Sequence, residues 1–337
     1  MTTANFSALP RCDLSTFPTP LHRLDHLANH LSSSPQLWVK RDDQTTLALG
    51  GNKVRKLEFL IAHAKQQGAD TIITMGGPQS NHCRLTAAAC ARTGLACHLV
   101  LGGAEAAFPN GNALLNSLCD AQVHYVSPEQ RNHKTTALLK ELRVAGRSPY
   151  LLPLGGSNGL GAIGYVLAMK ELRDQFPGDW NDLDTIAVAT SSGGTQAGLT
   201  LGARMFGFEG TVLGISIDQA ADRQPSYQSE MADIANEAAG ILQVDERLNG
   251  AEFHLNADYL GAGYGILGPA EKEAISTFAQ CEGIFLGPVY TGRAFAGLLD
   301  LIRRREFSQD QTVLFWHTGG APALFAYAQE LQDVTVE

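Results

Sequence analysis

Short apolar runs alternate with stretches of helical periodicity along most of the chain. The runs predict buried strands, in chain order, at 71–75, 97–101, 122–126, 149–152, 185–190, 211–217 and 312–316. Strands that are separated by helices predict parallel sheets with helices on both faces, which is the α/β class. Ligands bind such sheets at the carboxyl ends of the strands, so the loops that follow the strands are the candidate sites.

Helices are predicted next to these strands, where small and apolar residues recur at helical spacing. The first covers about 56–68, the second covers about 80–92, and the third begins near residue 196. Gly94 offers a C-terminal stop for the second helix, because glycine readily adopts a left-handed backbone. A fourth helix is predicted around 323–327, after the last strand.

The composition narrows the class of protein. The chain has 337 residues, of which 44% are hydrophobic and 18% are charged, so we expect a globular protein with two domains. The net charge is −9 and no basic run could follow a phosphodiester backbone, which argues against a nucleic-acid partner. No stretch has the roughly 20 apolar residues of a membrane span, and segment 1–6 lacks the pattern of a secretion signal. We therefore expect a cytoplasmic protein without membrane contact.

The six cysteines show no CxxC pair, and a cytosolic chain of this length favours buried thiols over disulfides. Cys83, Cys90 and Cys97 are spaced by seven residues, which would suit a metal site. However, Cys97 begins a predicted strand while the other two lie on a predicted helix, and zinc ligands normally come in tighter pairs. We expect no metal.

Three basic residues crowd the predicted start of the first helix, in the loop Gly50–Lys56. The helix dipole disfavours cations there by about 0.3–1 kcal/mol each, so a nearby anion or electrophile would explain them. A lysine beside a second cation also has a lowered pKa, which suits formation of a Schiff base. A solvated basic patch next to a glycine turn is the alternative that this loop alone leaves open.

Further loops that follow predicted strands contain small or hydroxyl-bearing residues. In 76–82, a Ser-Asn pair offers a good N-cap, and the free amides of the next turn form a natural carboxylate site. In 190–196, hydroxyls, glycines and a free helix N-terminus are typical of a phosphate site, although the Gly-Lys-Ser/Thr of a P-loop is absent. Segments 287–292 and 317–320 bring hydroxyls to sheet ends, where a cofactor ring could bind. Each loop alone is also compatible with a capped helix or a plain turn.

The segment Gly159–Gly164 matches the dinucleotide-binding pattern G-x-G-x-x-G, and aspartates at 182 and 184 follow about 20 residues later. In that fingerprint the glycines lie directly on the turn after the first strand of the fold. Here 154–158 separates them from the preceding strand. A nicotinamide cofactor is therefore an alternative that we do not favour.

Taken together, these segments resemble one family, the D-cysteine desulfhydrase and 1-aminocyclopropane-1-carboxylate (ACC) deaminase group of fold type II. Its members use pyridoxal 5′-phosphate (PLP) and are similar to tryptophan synthase β. The resemblance covers nearly the whole chain through 18–21, 40–43, 50–56, 79–82, 190–196, 263–265, 288–290 and 317–324, in the same order.

This resemblance implies two three-layer α/β/α domains with mainly parallel twisted sheets. The large PLP-binding domain would comprise 1–54 and 166–337, and a small α/β domain would be inserted at 55–165. The active site would lie between the two domains. A homodimer is also implied.

The resemblance implies a role for each matching position. Lys53 corresponds to the lysine that holds PLP as a Schiff base and shuttles protons, while Ser80, Tyr264 and Tyr290 would complete the catalytic set. Both tyrosines would act as hydroxyl acid–base groups that face the substrate. The substrate would be bound by Ser80, Asn81, His82 and Tyr290. The cofactor would be held by Lys53, Lys56, Asn81, Ser191, Ser192, Gly193, Gly194, Thr195, Thr291 and Thr318.

Two positions separate the activities within this family. ACC deaminases have Glu directly after the second tyrosine and Leu after the late histidine, whereas this chain has Thr291 and Thr318, as in the desulfhydrases. A carboxylate at the pyridine nitrogen strengthens electron withdrawal, which the opening of a cyclopropane needs more than the loss of thiolate does. The resemblance therefore implies α,β-elimination of D-cysteine to pyruvate, ammonia and sulfide. ACC deamination, cysteate sulfo-lyase activity and PLP binding without turnover are the alternatives.

Overall fold

The computed structural model of the chain describes residues 6–32, 34–224 and 226–332. Within these ranges, the strands form two separate sheets. The strands are β1 (Leu21–Arg23), β2 (Gln36–Arg41), β3 (Thr71–Gly76), β4 (Ala96–Gly102), β5 (Gln122–Val126), β6 (Pro149–Leu151), β7 (Thr185–Thr190), β8 (Thr211–Ser216), β9 (His254–Asn256) and β10 (Thr312–His317). The expectation about secretion rests on 1–6, of which 1–5 lie outside the described residues.

The larger sheet has the strand order β1-β2-β10-β7-β8-β9, and the smaller sheet has the order β5-β4-β3-β6. Paired strands are parallel, except that β1 is antiparallel to β2. Parallel strands need crossover connections, which helices usually provide. The prediction of an α/β fold with mainly parallel sheets is confirmed.

Helices lie between most of these strands. They are α1 (Asp25–His30), α2 (Lys53–Gln66), α3 (Asn81–Thr93), α4 (Gly111–Leu118), α5 (Arg131–Val144), α6 (Gly159–Gln175), α7 (Gly194–Phe206), α8 (Tyr227–Leu242), α9 (Pro269–Glu282), α10 (Thr291–Arg303) and α11 (Ala328–Gln332). In the described part of the chain, no helix is long and apolar enough to cross a membrane.

The helix predicted around 323–327 is present, as part of the 3₁₀-helix Ala321–Tyr327, which α11 follows. Pro322 has no N–H group for an α-helical bond. The amide of Ala323 donates to the carbonyl of Gly320, three residues earlier, which is 3₁₀ geometry.

The seven predicted strands are all present, and each end lies within one residue of its predicted position. Strand β7 shows why they could be recognised, since every residue from Thr185 to Thr190 is buried. Because β7 lies between β10 and β8, both of its faces are covered and its sequence is a continuous run of small and apolar residues.

The two sheets use separate parts of the chain. The strands of the smaller sheet all lie within 71–151, and the strands of the larger sheet lie before and after this segment. Helices α2 and α6 cross the predicted boundaries at 54/55 and 165/166, so neither predicted boundary falls in a loop. The domain limits stay a prediction.

The glycines of Gly159–Gly164 serve helix packing. A Cβ atom at Gly164 would be 2.3 Å from the carbonyl oxygen of Arg55, so α6 approaches α2 at a distance that only glycine allows. The amide of Gly159 donates to Glu237 and that of Gly161 donates to Asn158, so side chains already bind the start of α6. These contacts argue against the dinucleotide alternative.

Candidate active site

A cavity of about 300 Å³ lies between the two sheets, at the carboxyl ends of strands from both. The sequence-predicted residues that line it are Lys53, Ser80, Asn81, His82, Ser191, Ser192, Gly193, Thr195, Tyr264, Tyr290 and Thr318. Lys56, Gly194 and Thr291 are not on the lining, although each is bonded to a segment that is. The loops after the strands therefore meet at one place, as the parallel-sheet rule predicts.

Lys53 is the first residue of α2, and its Nζ donates to the side-chain oxygen of Asn52 at 3.1 Å. The amide group of Asn52 in turn donates to Thr195 Oγ1 at 3.1 Å, which links the lysine to the loop before α7. No carboxylate among the described residues forms an ion pair with this amine, and burial lowers the pKa of Lys53 to about 8. About a tenth of this amine is therefore a neutral nucleophile at pH 7, far more than for a lysine with the ordinary pKa of about 10.4.

Lys56 lies behind the cavity, where it bonds a cluster of hydroxyl groups. Its Nζ donates to Gly155 O at 3.2 Å and to Ser157 Oγ at 3.1 Å. Ser157 Oγ is 2.8 Å from Ser192 Oγ and accepts from the amide of Gly194 at 3.2 Å. Burial and the neighbouring Lys53 hold the pKa of Lys56 well below its usual value. A bound anion would restore the charge of this lysine.

The loop before α7 forms the other side of this cluster. Gly193 has φ +81°, a left-handed conformation that glycine adopts without strain, and it turns the chain into α7. The first-turn amides of α7, at Thr195 and Gln196, have no acceptor within the helix. Partial positive charge at a helix start and the nearby hydroxyls suit a phosphate group.

Helix α3 begins at the cavity with Ser80 as its N-cap, as predicted. Ser80 Oγ accepts from the amide of Cys83 at 3.3 Å, so its own proton is left for a ligand. Asn81 Oδ1 accepts from Asn112 Nδ2 at 2.8 Å, and its Nδ2 has no acceptor among the described residues. The N-terminus of α3 therefore offers side-chain and backbone donors to an anionic ligand.

The His82 ring lies beneath the same helix start and is buried. Its Nε2 is 2.9 Å from Thr74 Oγ1, which itself donates to Leu152 O, so Nε2 is the protonated nitrogen. His82 Nδ1 is buried and has no partner within the described residues. Burial and the charges of Lys53 and Lys56 hold the pKa of His82 well below its usual value, so the ring is neutral.

Two tyrosines meet at the opposite side of the cavity. The hydroxyl oxygens of Tyr264 and Tyr290 are 2.6 Å apart, and 43% of Tyr264 is exposed while its hydroxyl points inward. The Tyr264 ring lies next to Gly77, where an added Cβ would be 3.5 Å from the ring. Burial of the hydroxyl raises the pKa of Tyr264 to about 12, and burial with the adjacent Tyr264 raises that of Tyr290 further. Both hydroxyls are therefore protonated donors at neutral pH.

The two threonines that separate the family's activities differ in their surroundings. Thr318 lies on the cavity lining. Thr291 is buried, accepts from the amide of Gly287 at 2.7 Å and lies 3.2 Å from Gly319 O. Thr291 thus bonds the backbone next to Thr318 rather than the cavity itself.

Some residues that line or support the cavity have recognisable sequence signals but are not among the predicted site residues. Asp218 lines the cavity, accepts from Ser191 Oγ at 3.0 Å and follows the end of β8, where the parallel-sheet rule would have placed a candidate. Arg131, at the start of α5, also lines it. Ser157 belongs to the Gly-Gly-Ser segment after β6, which contains no predicted site residue. Asn52 was overlooked beside the lysine.

These residues satisfy the chemical requirements of PLP. A neutral lysine amine is needed for the aldehyde carbon, and Lys53 provides it. A dianionic phosphate needs cations and amides without other anionic partners, and Lys56 with the start of α7 provides them. The unpartnered His82 Nδ1 and the free Asn81 Nδ2 supply an acceptor and a donor for polar groups of a ligand.

Comparisons with known proteins agree with this chemistry. The family model described as pyridoxal-phosphate dependent enzyme matches residues 13–319. The D-cysteine desulfhydrase of Klebsiella pneumoniae (strain 342) is 40% identical over 338 residues, which cover 98% of this chain and 100% of that protein.

Solved structures agree as well. A crystal structure of an ACC deaminase homologue matches with a TM-score of 0.87 and 35% identity, over 97% of both chains. The processed form of threonine deaminase isoform 2 from Solanum lycopersicum matches with a TM-score of 0.67 and 14% identity, over 95% of this chain and 84% of that one, and so shares the fold. The cofactor is pyridoxal phosphate, and the chain belongs to the family of pyridoxal-phosphate dependent enzymes.

Proposed function

We propose that the protein is a lyase that converts D-cysteine and water to pyruvate, ammonia and hydrogen sulfide. The proposal rests mainly on the paired hydroxyls of Tyr264 and Tyr290, which share one cavity with the partly neutral Lys53. The choice of D-cysteine is supported by the 40% identical desulfhydrase, which the chain matches over its whole length. An elimination needs a base at Cα and an acid near Cβ, and these groups can supply both.

Binding of the substrate carboxylate is assigned to the start of α3. The hydroxyl proton of Ser80 and the first-turn amides at Asn81 and His82 are the donors on this part of the lining. Fixing the carboxylate there would orient the rest of the amino acid toward Lys53 and the tyrosine pair, which line the same cavity.

The cofactor would be held by the residues that the sequence identified and by those that the structure adds. Its phosphate would bind the hydroxyls and amides of 191–195, with Lys56 acting through Ser157. Asn81 Nδ2 would donate to the phenolic oxygen of the cofactor. Thr318 would lie at the pyridine nitrogen, next to the backbone segment that Thr291 binds. When bound, PLP supplies an electron sink that stabilises negative charge at Cα.

Proton transfers are assigned to Lys53 and the tyrosines. The neutral amine of Lys53, favoured by its pKa of about 8, accepts the Cα proton. As the Cβ–S bond breaks, the Tyr264–Tyr290 pair donates a proton to the departing sulfur. Both hydroxyls stay protonated at neutral pH, because their pKa values are raised. The protein then releases the C3 fragment, which water converts to pyruvate and ammonia.

The charged residues of the lining bear on the cysteate alternative. Asp218 is the only carboxylate among the described lining residues, and it contributes to the raised pKa values of both tyrosines. The sulfonate of cysteate would be repelled by this carboxylate but attracted by the guanidinium group of Arg131, which lines the same cavity, so charge alone does not decide between thiolate and sulfite as the leaving group. ACC deamination would instead favour a carboxylate where Thr291 and Thr318 stand.

Product assays with the purified holoenzyme test the proposal. We expect sulfide and pyruvate in equal amounts from D-cysteine, with lower rates for L-cysteine and cysteate, and no 2-oxobutanoate from ACC. Lys53→Ala should abolish the reaction, while Lys140→Ala, on the exposed face of α5, serves as the matched control. Production of 2-oxobutanoate from ACC without sulfide from D-cysteine would establish the deaminase alternative. PLP binding without turnover of any of these amino acids would establish the binding-protein alternative.

The location and the assembly belong to the same proposal. A cytoplasmic homodimer is expected from the composition and from the family resemblance. Light scattering of the purified protein and fractionation of the source cells test these two statements separately.

A further inference from the structure

The loop 261–268, here called the Tyr264 loop, has little backbone hydrogen bonding of its own. The single backbone–backbone bond inside it, among the described contacts, joins Ile266 N to Gly263 O at 3.3 Å. Gly261, Gly263 and Gly265 in this loop have positive φ. Glycine restricts the backbone less than any other residue, so the loop sequence alone does not fix one conformation. The position of Tyr264 therefore depends on side chains that bind the loop from outside.

Arg293 is the main side chain that does so. It is buried, and its Nε donates to Glu271 Oε1 at 2.7 Å. Its two terminal nitrogens donate to the carbonyls of Gly263 at 2.9 Å and Ile266 at 2.8 Å, on either side of Tyr264. A fourth bond, at 3.0 Å, reaches the carbonyl of Ile217, the residue before the cavity carboxylate.

Further contacts to the segment just before the Tyr264 loop lie along the same face of α10 as Arg293. Gly297 and Asp300 follow Arg293 at helical spacing, i+4 and i+7. The Tyr259 ring packs on Gly297, where an added Cβ would be 2.7 Å from it, and its hydroxyl donates to Asp300 at 2.6 Å. Tyr290 immediately precedes the same helix. A single helix therefore positions one tyrosine at its start and binds the loop of the other along its side.

We propose that Arg293 is a positioning residue that holds Tyr264 against Tyr290. It acts through the loop backbone and does not line the cavity. A guanidinium group suits the task, because its planar fork of five N–H donors can bind three carbonyls and one carboxylate at once. A lysine would keep the charge but would bind fewer of these acceptors. The buried pair with Glu271 also keeps the guanidinium group from being an unpaired buried charge.

The kinetic part of the inference rests on the proposed function, and the structural part does not. Arg293→Gln should lower kcat for D-cysteine about tenfold to a hundredfold, because misplacing a reacting group by about 1 Å has effects of this size. KM should change by less than about threefold, since the carboxylate site on α3 is untouched. Amide exchange, measured by mass spectrometry on the holoenzyme, should accelerate in 259–268 and remain unchanged in β10. Arg293→Lys should fall between this variant and the wild type.

The matched control is Arg303→Gln, because Arg303 also joins α10 to α9, through an exposed pair with Glu273. It should leave kcat and loop exchange at wild-type values. If Arg293→Gln does not fold, Arg293→Lys and Glu271→Gln test the same bonds. Unchanged exchange in 259–268, or exchange that rises equally in β10, would overturn the positioning role. If the wild type released no sulfide, the proposed function would fail while the exchange experiment still decided the role of Arg293.

Discussion

Helix α2 presents cations in two kinds of environment within four residues. Arg55 is buried among carboxylates and bonds both Asp42 and Glu171, each at 2.8–2.9 Å. Lys53 and Lys56, on the side that faces the cavity, have only neutral oxygen atoms as hydrogen-bond partners among the described residues. The same helix thus has carboxylate partners for its arginine on one side and neutral partners for its lysines on the other.

The pKa values reflect this difference. Burial alone would raise the pKa of Asp42, but Arg55 and its hydrogen bonds lower it to about 2. On the cavity side, burial lowers the pKa of Lys53 to about 8, and burial together with the charge of Lys53 holds that of Lys56 well below its usual value, with no compensating anion in the described part of the chain. Paired charges on one side hold the fold together, and unpaired lysines on the other side are available to a ligand.

The largest expected effect comes from Lys53→Ala. Removal of the amine should lower kcat for sulfide release by at least about a thousandfold, because one group serves as nucleophile toward the cofactor and as base. The free energy of unfolding of the apo-protein should not fall, since an unpaired amine contributes no ion pair. Sulfide assays and urea denaturation measure the two quantities. Residual activity near that of Lys140→Ala would contradict the role.

Arg55→Met tests the opposite side of the helix. It leaves the buried Asp42 without its main counter-ion and should lower the free energy of unfolding by about 3–5 kcal/mol. Urea denaturation of the apo-protein measures this loss. Arg204→Met, which removes an exposed pair with Glu252, is the control and should cost about 1 kcal/mol or less. Equal losses in both variants would remove the distinction between paired and surface charges.

Lys56→Met should separate cofactor binding from stability. Loss of a charge-assisted bond worth about 1.5–3 kcal/mol should weaken PLP about tenfold to a hundredfold. The apo-protein should be as stable as the wild type or more so, because a buried unpaired amine is replaced by an apolar side chain. Absorbance titration and urea denaturation measure the two effects. A large loss of stability with unchanged PLP affinity would refute the comparison.

The smallest effect is a pH dependence. The folded-state pKa of Lys53, about 8, lies below its ordinary value of 10.5, so the neutral amine is populated earlier in the folded protein. The rate at which apo-protein bonds PLP covalently should rise up to about tenfold per pH unit below pH 8 and level off above it. Because the folded-state pKa is the lower one, the unfolded chain binds more protons at this lysine between pH 8 and 10.5. The contribution of Lys53 to the free energy of unfolding therefore rises with pH across this window. A midpoint near pH 10 in the rate of PLP bonding would contradict the lowered pKa, because it is the midpoint expected for a solvated lysine.

The sequence predicted strands best where burial makes the pattern simple. Strand β7 was recognised because both faces are covered. Strand β2 was not, because Lys40 and Arg41 interrupt its apolar run. Lys40 is fully buried all the same, because Glu171 lies 2.5 Å from its Nζ and more than a hundred residues later in the chain. Tertiary partners of this kind leave no local signal.

The site was predictable to the same degree. Lys53, Ser80 and the loop 190–196 could be named as candidates because each follows a strand or begins a helix, and the structure places residues of all three on one cavity. Ser157 was missed because its role depends on contacts with Lys56 and Ser192, which only the fold brings together. The support of the Tyr264 loop by helix α10 was not predicted for the same reason, because the bonds from Arg293 join residues that are about 30 positions apart in the sequence.

The most direct test of the account is reduction of the holoenzyme with borohydride, followed by peptide mass spectrometry. Reduction fixes the bond between PLP and the lysine that holds it. We predict the added mass on the peptide that contains Lys53, at Lys53 itself, and its absence after Lys53→Ala. Label on Lys56 or on another lysine, or no label in a protein that retains PLP, would contradict the assignment of the unpaired lysines.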